Sequence, residues 1–472
     1  MSRYPHLRND IRASNAHERD DYLLWEHRTA GHLIPCNPLP ASSADEMVHT
    51  APIREEEPFD QVGCLQPVRL RDELLGPRHI RLLKLHPLTS TDLPNETLRV
   101  GDCSQLLCEA YQASLDDLTT IGPPLFVAAS YVCGDQTPTR RILCGSENVG
   151  IPRNVSDLLF HLRFRDRPRL IWIDFLCIKQ DDARERSHQV SLLHEIYAQA
   201  HVVSWLGTGR DVDLQGVSFY LSLFARLWID EVRADEVDVS SDSINIGATA
   251  RLQMYFESQV DDLPHEYSLQ ALASVFTAGY FTRVWTVQEM ILAKTNVCQV
   301  GNHMFSLAVL TAAANILSWI NSGQPPMSNL KLVKFDRDKI HYVIHSYLRP
   351  ALKSCWLHDY HTGRHDLDVV TSLNEGACAD PKDHIYGVAS LFRESDRYEI
   401  DYTLSEAQVF CDFTIHCVLE DSNIDVLNQF RPATESARAH HGLQSGLPSW
   451  CPDWSIAQRR NDSVLGKLGF NW

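Results

Sequence analysis

Apolar residues in this chain gather into short unbroken runs separated by stretches of helical spacing, most clearly between Arg169 and Gly207. Leu170, Ile171, Trp172 and Ile173 form a compact run that ends on a carboxylate, Asp174. A polar turn, Lys179 to Asp182, follows. Val190, Leu193, Ile196, Tyr197 and Ala200 then recur at helical steps, and a second apolar run from Val202 to Leu206 stops at Gly207. Buried strand, amphipathic helix, buried strand predicts a βαβ unit of a parallel sheet. Ligands of such sheets bind just past the carboxyl ends of the strands, which makes Asp174 the first candidate for a function.

The same pattern extends to both sides. His79 to Leu85 alternates apolar and basic residues and ends at Pro87, a strand signal. A loop-rich stretch leads to a buried strand from Leu125 to Tyr131, closed by Cys133, Gly134 and Asp135, and Arg141 to Cys144 predicts a short strand. Asn154 stands before Val155, Leu158, Leu159 and Leu162, the signature of an N-capped amphipathic helix. Beyond Gly207 the pattern turns helical at Val217–Ile229, Leu269–Phe276 and Phe281–Ala293, with an acidic, serine-rich loop over Asp230–Ile246 and a break at Gly279. Glu289 sits inside the last of these helices between Val287 and Met290, where a solvated residue would be out of place.

These signals predict an α/β fold with a parallel-sheet core and helices on both faces. Residues 1–75 show no sustained period and are expected to form an arm, partly disordered. The core domain is expected over 76–300, and residues 301–472 predict a mainly helical C-terminal extension. Two segments of that extension stand out, Asp380 to Gly387 and Leu447 to Trp454.

At 472 residues, 44% of them hydrophobic and 22% charged, the chain has the composition of a globular protein with about two domains. The net charge of −18 argues against nonspecific nucleic-acid binding, which needs a basic surface. Thirteen cysteines are scattered without a Cys-x-x-Cys pair. The N-terminus has no apolar core of a secretory signal, and no run reaches the ~18 apolar residues of a membrane span. The expectation is an intracellular, cytoplasmic protein with reduced thiols and no membrane span.

Several familiar chemistries find no support. No phosphate-cradling Gly-rich loop, complete dinucleotide fingerprint, nucleophile elbow or His-Glu-x-x-His motif occurs. His358, His361 and His365 have a helical metal-ligand spacing, but Thr362, Gly363 and Arg364 interrupt the helix, so no metal is expected. Cys133 and Cys177 lie in apolar surroundings that favour inert thiols.

Taken in order, the motifs resemble one family. They are Ala129-Ser130-Tyr131 with Gly134-Asp135, Trp172-Ile173-Asp174 through Cys177-Ile178 and Gln180, and Glu185-Arg186 with Gln189-Val190. Ile196-Tyr197 with Ala200, Trp205-Leu206-Gly207, and Arg283-Val284-Trp285 with Gln288-Glu289 complete the series. Together they are similar to the heterokaryon-incompatibility (HET) domain of filamentous fungi. Asp380-Pro381-Lys382-Asp383 with Ile385-Tyr386, and Leu447 to Trp454, resemble segments that follow this domain in long family members. The likeness runs from about residue 80 to 455. Cys133 replaces the family's usual tryptophan and Lys179 its usual asparagine.

The resemblance implies a role in nonself recognition and programmed cell death after fusion of unlike fungal cells. It also implies a remote kinship with TIR domains, and so a TIR/flavodoxin-like sheet. Some TIR domains cleave NAD with a helical glutamate in a Trp-x-x-x-Glu context, which Trp285 to Glu289 resembles. Breaking the nicotinamide–ribose bond develops oxocarbenium character, and nicotinamide leaves neutral, so one carboxylate can suffice. Glu289 is the candidate catalytic residue, and Asp174, Ser130 and Trp285 are candidates for substrate binding, with NAD as substrate and no resident cofactor. Asp174 equally suits anchoring its own turn, and Trp172, Trp205 and Trp285 equally suit core packing. The opposing reading is a non-enzymatic module that triggers death by associating with itself or with another incompatibility protein. The enzyme requires an accessible cleft; the module predicts a filled one and an exposed apolar patch.

Overall fold

The computed structural model describes residues 65–87 apart from 75, 106–121, 125–164, 167–209, 212–221, 272, 275–276, 278–293, 295–306, 310, 313, 365–373, 376–392, 398–429 and 447–455. The expected arm up to residue 64, the loop over 230–246, and His358 and His361 lie outside them. The described residues fall into two compact units. One draws on Met1–Cys177, Glu195–Phe281 and Ala293–Leu348, the other on Ile178–His194, Thr282–Leu292 and Arg349–Trp472.

The first unit holds every strand: β1 (Gln66–Val68), β2 (His79–Leu85), β3 (Leu106–Ser114), β4 (Val127–Ser130), β5 (Arg140–Cys144), β6 (Glu147–Ile151), β7 (Arg169–Trp172), β8 (His201–Gly207), β9 (Thr295–Val300) and β10 (His303–Ser306). Helices in chain order are α1 (Leu115–Ile121), α2 (Arg153–Leu162), α3 (Asp174–Cys177), α4 (Ala183–Ser191), α5 (Leu193–Gln199), α6 (Trp285–Leu292), α7 (Asp366–Leu373), α8 (Asp383–Tyr386) and α9 (Glu406–Leu419). The strands form one sheet in the order β10-β9-β8-β4-β7-β2-β3-β5-β6, with β1 paired to β3.

β9, β8, β4 and β7 run parallel to one another. The α/β expectation holds, but the sheet is mixed: β2 lies antiparallel to both β7 and β3, and β10 lies antiparallel to β9. The predicted βαβ unit is present with β4 inserted between β7 and β8. Its helix is broken at Leu192 into α4 and α5. β3 arose where a loop was expected, and β9 and β10 at the border of a stretch expected to be helical. In β3 the buried residues Leu106, Cys108, Ala110 and Gln112 do alternate, but Gln112 hides the apolar period.

β2 also departs from simple alternation. Arg81 is fully buried, donating to the Cys177 carbonyl at 3.0 Å and to the Asp72 carbonyl at 2.5 Å. A guanidinium survives there because it satisfies buried carbonyls, one of them at the end of α3 where no helical partner is left. On α2, Val155, Leu158, Leu159 and Leu162 are all buried, and the helix packs on β3, β5 and β8. Pro152, and not Asn154, holds its N-cap position.

The second unit is built on α4, α6 and the C-terminal helices. Phe413 of α9 stacks on Phe392, 5.7 Å between ring centres, and meets Trp454 edge-on at 5.3 Å. In the C-terminal segment Leu447–Trp454, Trp454 is fully buried whereas Trp450 is exposed. α6 starts later than its apolar pattern predicted. The backbone before it is engaged elsewhere, since Ala377 N–H donates to the Thr282 carbonyl at 2.5 Å and Val284 N–H to the Ala377 carbonyl at 3.3 Å.

Candidate functional site

The chain enters the parallel strands at β4, moves to β7 on one side and then to β8 and β9 on the other. The order therefore reverses between β4 and β8, and the crevice beyond their carboxyl ends is where such a sheet receives a ligand. Ser130, the last residue of β4, pairs in register with Ser204 in the middle of β8. Both are fully buried, and between them stands Tyr280, from the 3₁₀ turn Gly279–Thr282 and 2% exposed. The Tyr280 hydroxyl lies 2.7 Å from Ser130 Oγ and donates to Ser204 Oγ at 2.9 Å, and Ser204 Oγ donates to Asn296 Oδ1 at 3.0 Å. Four side chains from β4, β8, β9 and the turn are thus joined in one hydrogen-bond chain that holds Ser130 in the interior.

Asp174 stands at the end of the neighbouring strand β7. Its Oδ1 accepts the Tyr131 hydroxyl at 2.7 Å and the Phe175 N–H at 2.7 Å, so it ties the end of β4 to the start of α3. Asn154 donates to the Val132 carbonyl and accepts the Trp205 indole N–H at 3.3 Å. It joins the segment after β4 to β8 and so does not cap α2. Cys133 is half-buried in that segment.

A second polar cluster belongs to the unit holding α4, α6 and α8. Asp182 accepts the N–H groups of Arg184 and Glu185 and caps α4. Glu185 turns back to accept Lys179 N–H at 2.9 Å and pairs with its ammonium at 3.7 Å. The lysine that replaces the family's asparagine thus has a local counter-ion. Arg186 lies over the Tyr402 ring, 3.7 Å from its centre, and pairs with Asp380 at 3.5 Å. The Tyr402 hydroxyl donates to Asp383 Oδ1 at 2.6 Å, its N–H donates to Ser187 Oγ at 2.8 Å, and its carbonyl accepts Lys382 Nζ at 3.1 Å. The Trp285 side chain also hydrogen-bonds Asp383.

Withdrawal from water dominates at Asp383, and with the nearby Asp380 charge it outweighs the Tyr402 and Trp285 donors, leaving the carboxyl pushed up to about 6. The folded form then holds its proton while the unfolded chain ionises near 4. Stability should fall as pH rises from 4 to 6 and level off above, by about 3 kcal/mol from this group. Asp383→Asn should remove that slope; urea midpoints measured across pH 4–7 check it, and an unchanged slope would refute the assignment.

The four candidate site residues separate as follows. Ser130 and Asp174 stand on adjacent strands of the first unit. Trp285 and Glu289 lie one turn apart on α6 of the second. Ser130 is held by Tyr280, Asp174 by Tyr131, and Trp285 is bound to Asp383. Glu289 is half-buried between the buried Gln288 and Met290. Tyr280, Asn296 and Tyr402 had no signal in the sequence, because each acts through a partner at least 76 positions away or from beyond the flagged motifs.

Residues 126–289 match the family model described as heterokaryon incompatibility protein (HET). The chain is also similar to "Heterokaryon incompatibility protein 6, OR allele" of Neurospora crassa, 25% identical over 415 residues that cover 80% of this chain and 58% of the relative. It therefore spans less than two thirds of that relative's length. No solved structure matches it. The segment 126–289 thus matches the HET domain of fungal heterokaryon-incompatibility proteins, as the ordered motifs implied. Among the described residues, no helix is long and apolar enough to cross a membrane.

Proposed function

We propose that this chain acts in fungal nonself recognition and sets off cell death as an association module, engaging itself or another incompatibility protein. One observation supports this above the others: Ser130, at the carboxyl end of β4 beside the reversal of strand order, is fully buried and bonded to the chain's own Tyr280, which also bonds Ser204. A site that must admit a dinucleotide keeps its mouth open. The family match and the similarity to an incompatibility protein support the biological role.

NAD cleavage is the second reading. It is favoured by the parallel order β7-β4-β8-β9, which matches the first four strands of flavodoxin-like sheets, and by Trp285 and Glu289 on one helix. In that reading Glu289 stabilises the developing oxocarbenium charge while Asp174 and Ser130 orient the ribose.

The test compares wild type with Glu289→Gln, for NAD turnover by purified protein at high concentration and for killing on expression in fungal cells. The association reading expects no turnover and killing by both proteins. Turnover by wild type that falls by about a hundredfold or more in a folded Glu289→Gln, together with lost killing, would replace it with the enzyme.

A further inference from the structure

α9 has more apolar surface than its own packing uses. Val409, Phe410, Phe413 and Cys417 bury one face of it. Yet Ile415 and Leu419, one turn apart, are 44% and 69% exposed. The chain then folds back, with Asn423 N–H donating to the Cys417 carbonyl at 2.7 Å, into the 3₁₀ helix Ile424–Gln429, which packs against α9. In a 3₁₀ helix side chains three apart eclipse, which puts Ile424 and Leu427 on one side. These are 69% and 46% exposed. Two pairs of aliphatic side chains thus lie open to water on adjoining elements. Exposed aliphatics that adjoin in this way mark interaction sites; isolated ones do not.

Apart from His416, the charged residues of α9 and of the described segment after it, up to Gln429, share one sign. Asp412, Glu420 and Asp425 are exposed beside the aliphatic residues. No lysine or arginine occurs anywhere from Tyr398 to Phe430. Phe160, the exposed aromatic of the first unit, differs: the Arg163 guanidinium lies 5.1 Å from its ring centre. An apolar strip with an acidic rim complements a helix carrying aliphatic residues at three- and four-residue steps between lysines or arginines. A second copy of the chain would bring the same acidic rim against itself, and an anionic lipid surface would repel it.

We propose that the face formed by Ile415, Leu419, Ile424 and Leu427, rimmed by Asp412, Glu420 and Asp425, docks a basic amphipathic helix of a partner protein. The inference stands whether or not the chain cleaves NAD. The probe is a fluorescent synthetic helix of leucine and lysine, about four turns long, titrated into the full chain and followed by anisotropy. Saturable one-to-one binding is expected. It should weaken about tenfold or more in Leu419→Asp/Ile424→Asp and in Asp412→Lys/Glu420→Lys, and stay unchanged in Phe160→Asp. A peptide with glutamate in place of lysine should not bind. All four altered side chains of the patch variants are exposed, so urea midpoints should match wild type. Equal binding by wild type and the patch variants, or no saturable binding, would overturn the proposal. So would light scattering that shows a wild-type dimer broken by Leu419→Asp/Ile424→Asp, since a second copy would then cover the face.

Discussion

Replacing Tyr280 by alanine is expected to destabilise the sheet-bearing unit by about 5 kcal/mol. The side chain is 2% exposed, packs edge-on against Phe281 at 5.3 Å, and bonds Ser130 at the end of β4 and Ser204 in the middle of β8. Removing a buried aromatic costs about 3–5 kcal/mol through lost transfer energy and the cavity left behind. The two hydroxyl contacts, to Ser130 and Ser204, add about 1 kcal/mol each when broken. Tyr280→Phe separates these parts. It keeps the ring and loses only the hydroxyl, so it should cost about 2 kcal/mol. Urea unfolding of both variants gives the two values. A cost below about 1 kcal/mol for alanine would mean that the ring is not packed in the core as the structure has it.

Gly387→Ala should cost about 3 kcal/mol in the other unit, for a steric reason. A Cβ on Gly387 would stand 2.5 Å from Val284 Cγ1 and 2.6 Å from the Asp383 carbonyl oxygen. Neither distance is compatible with a real contact, and the carbonyl cannot move aside without disturbing α8. Overpacking of this kind costs typically 1–3 kcal/mol and sometimes more. Val284→Ala removes the first obstacle but not the second. The double variant should therefore recover part of the loss, which a double-mutant cycle measures as a coupling between the two positions. Additive effects would show that Gly387 does not press on Val284. A parallel prediction holds at Gly376, whose added Cβ would meet the Val284 backbone at 2.9 Å.

These two sites show how unevenly the candidate functional regions could be read in advance. Both Arg283–Glu289 and Asp380–Gly387 stood out as motifs, as did Glu185-Arg186. Their residue types suggested separate tasks. In the structure Arg186, Trp285, Asp380, Asp383 and Tyr402 make one polar cluster, in which Val284 lies against Gly387. Asp174 and Ser130 were placed correctly at strand ends. What they bind could not be foreseen, because Tyr131 is 43 and Tyr280 150 positions away. Asn154 failed as a cap for a related reason: its side chain is engaged by Val132 and Trp205.

The sequence by itself determined the family, through motifs in a fixed order, and most elements of the sheet. The runs at 79–85, 125–131, 170–173 and 202–206 became β2, β4, β7 and β8 because apolar periodicity is set by which face of an element is buried. Tertiary structure alone decided that β4 lies between β7 and β8, that β2 runs against β7, and that segments 178–194, 282–292 and the C-terminal residues belong to one unit. Periodicity records only whether a residue is buried. Which residues are buried together depends on pairings between distant segments, and those fix the partners of Ser130, Asp174 and Trp285.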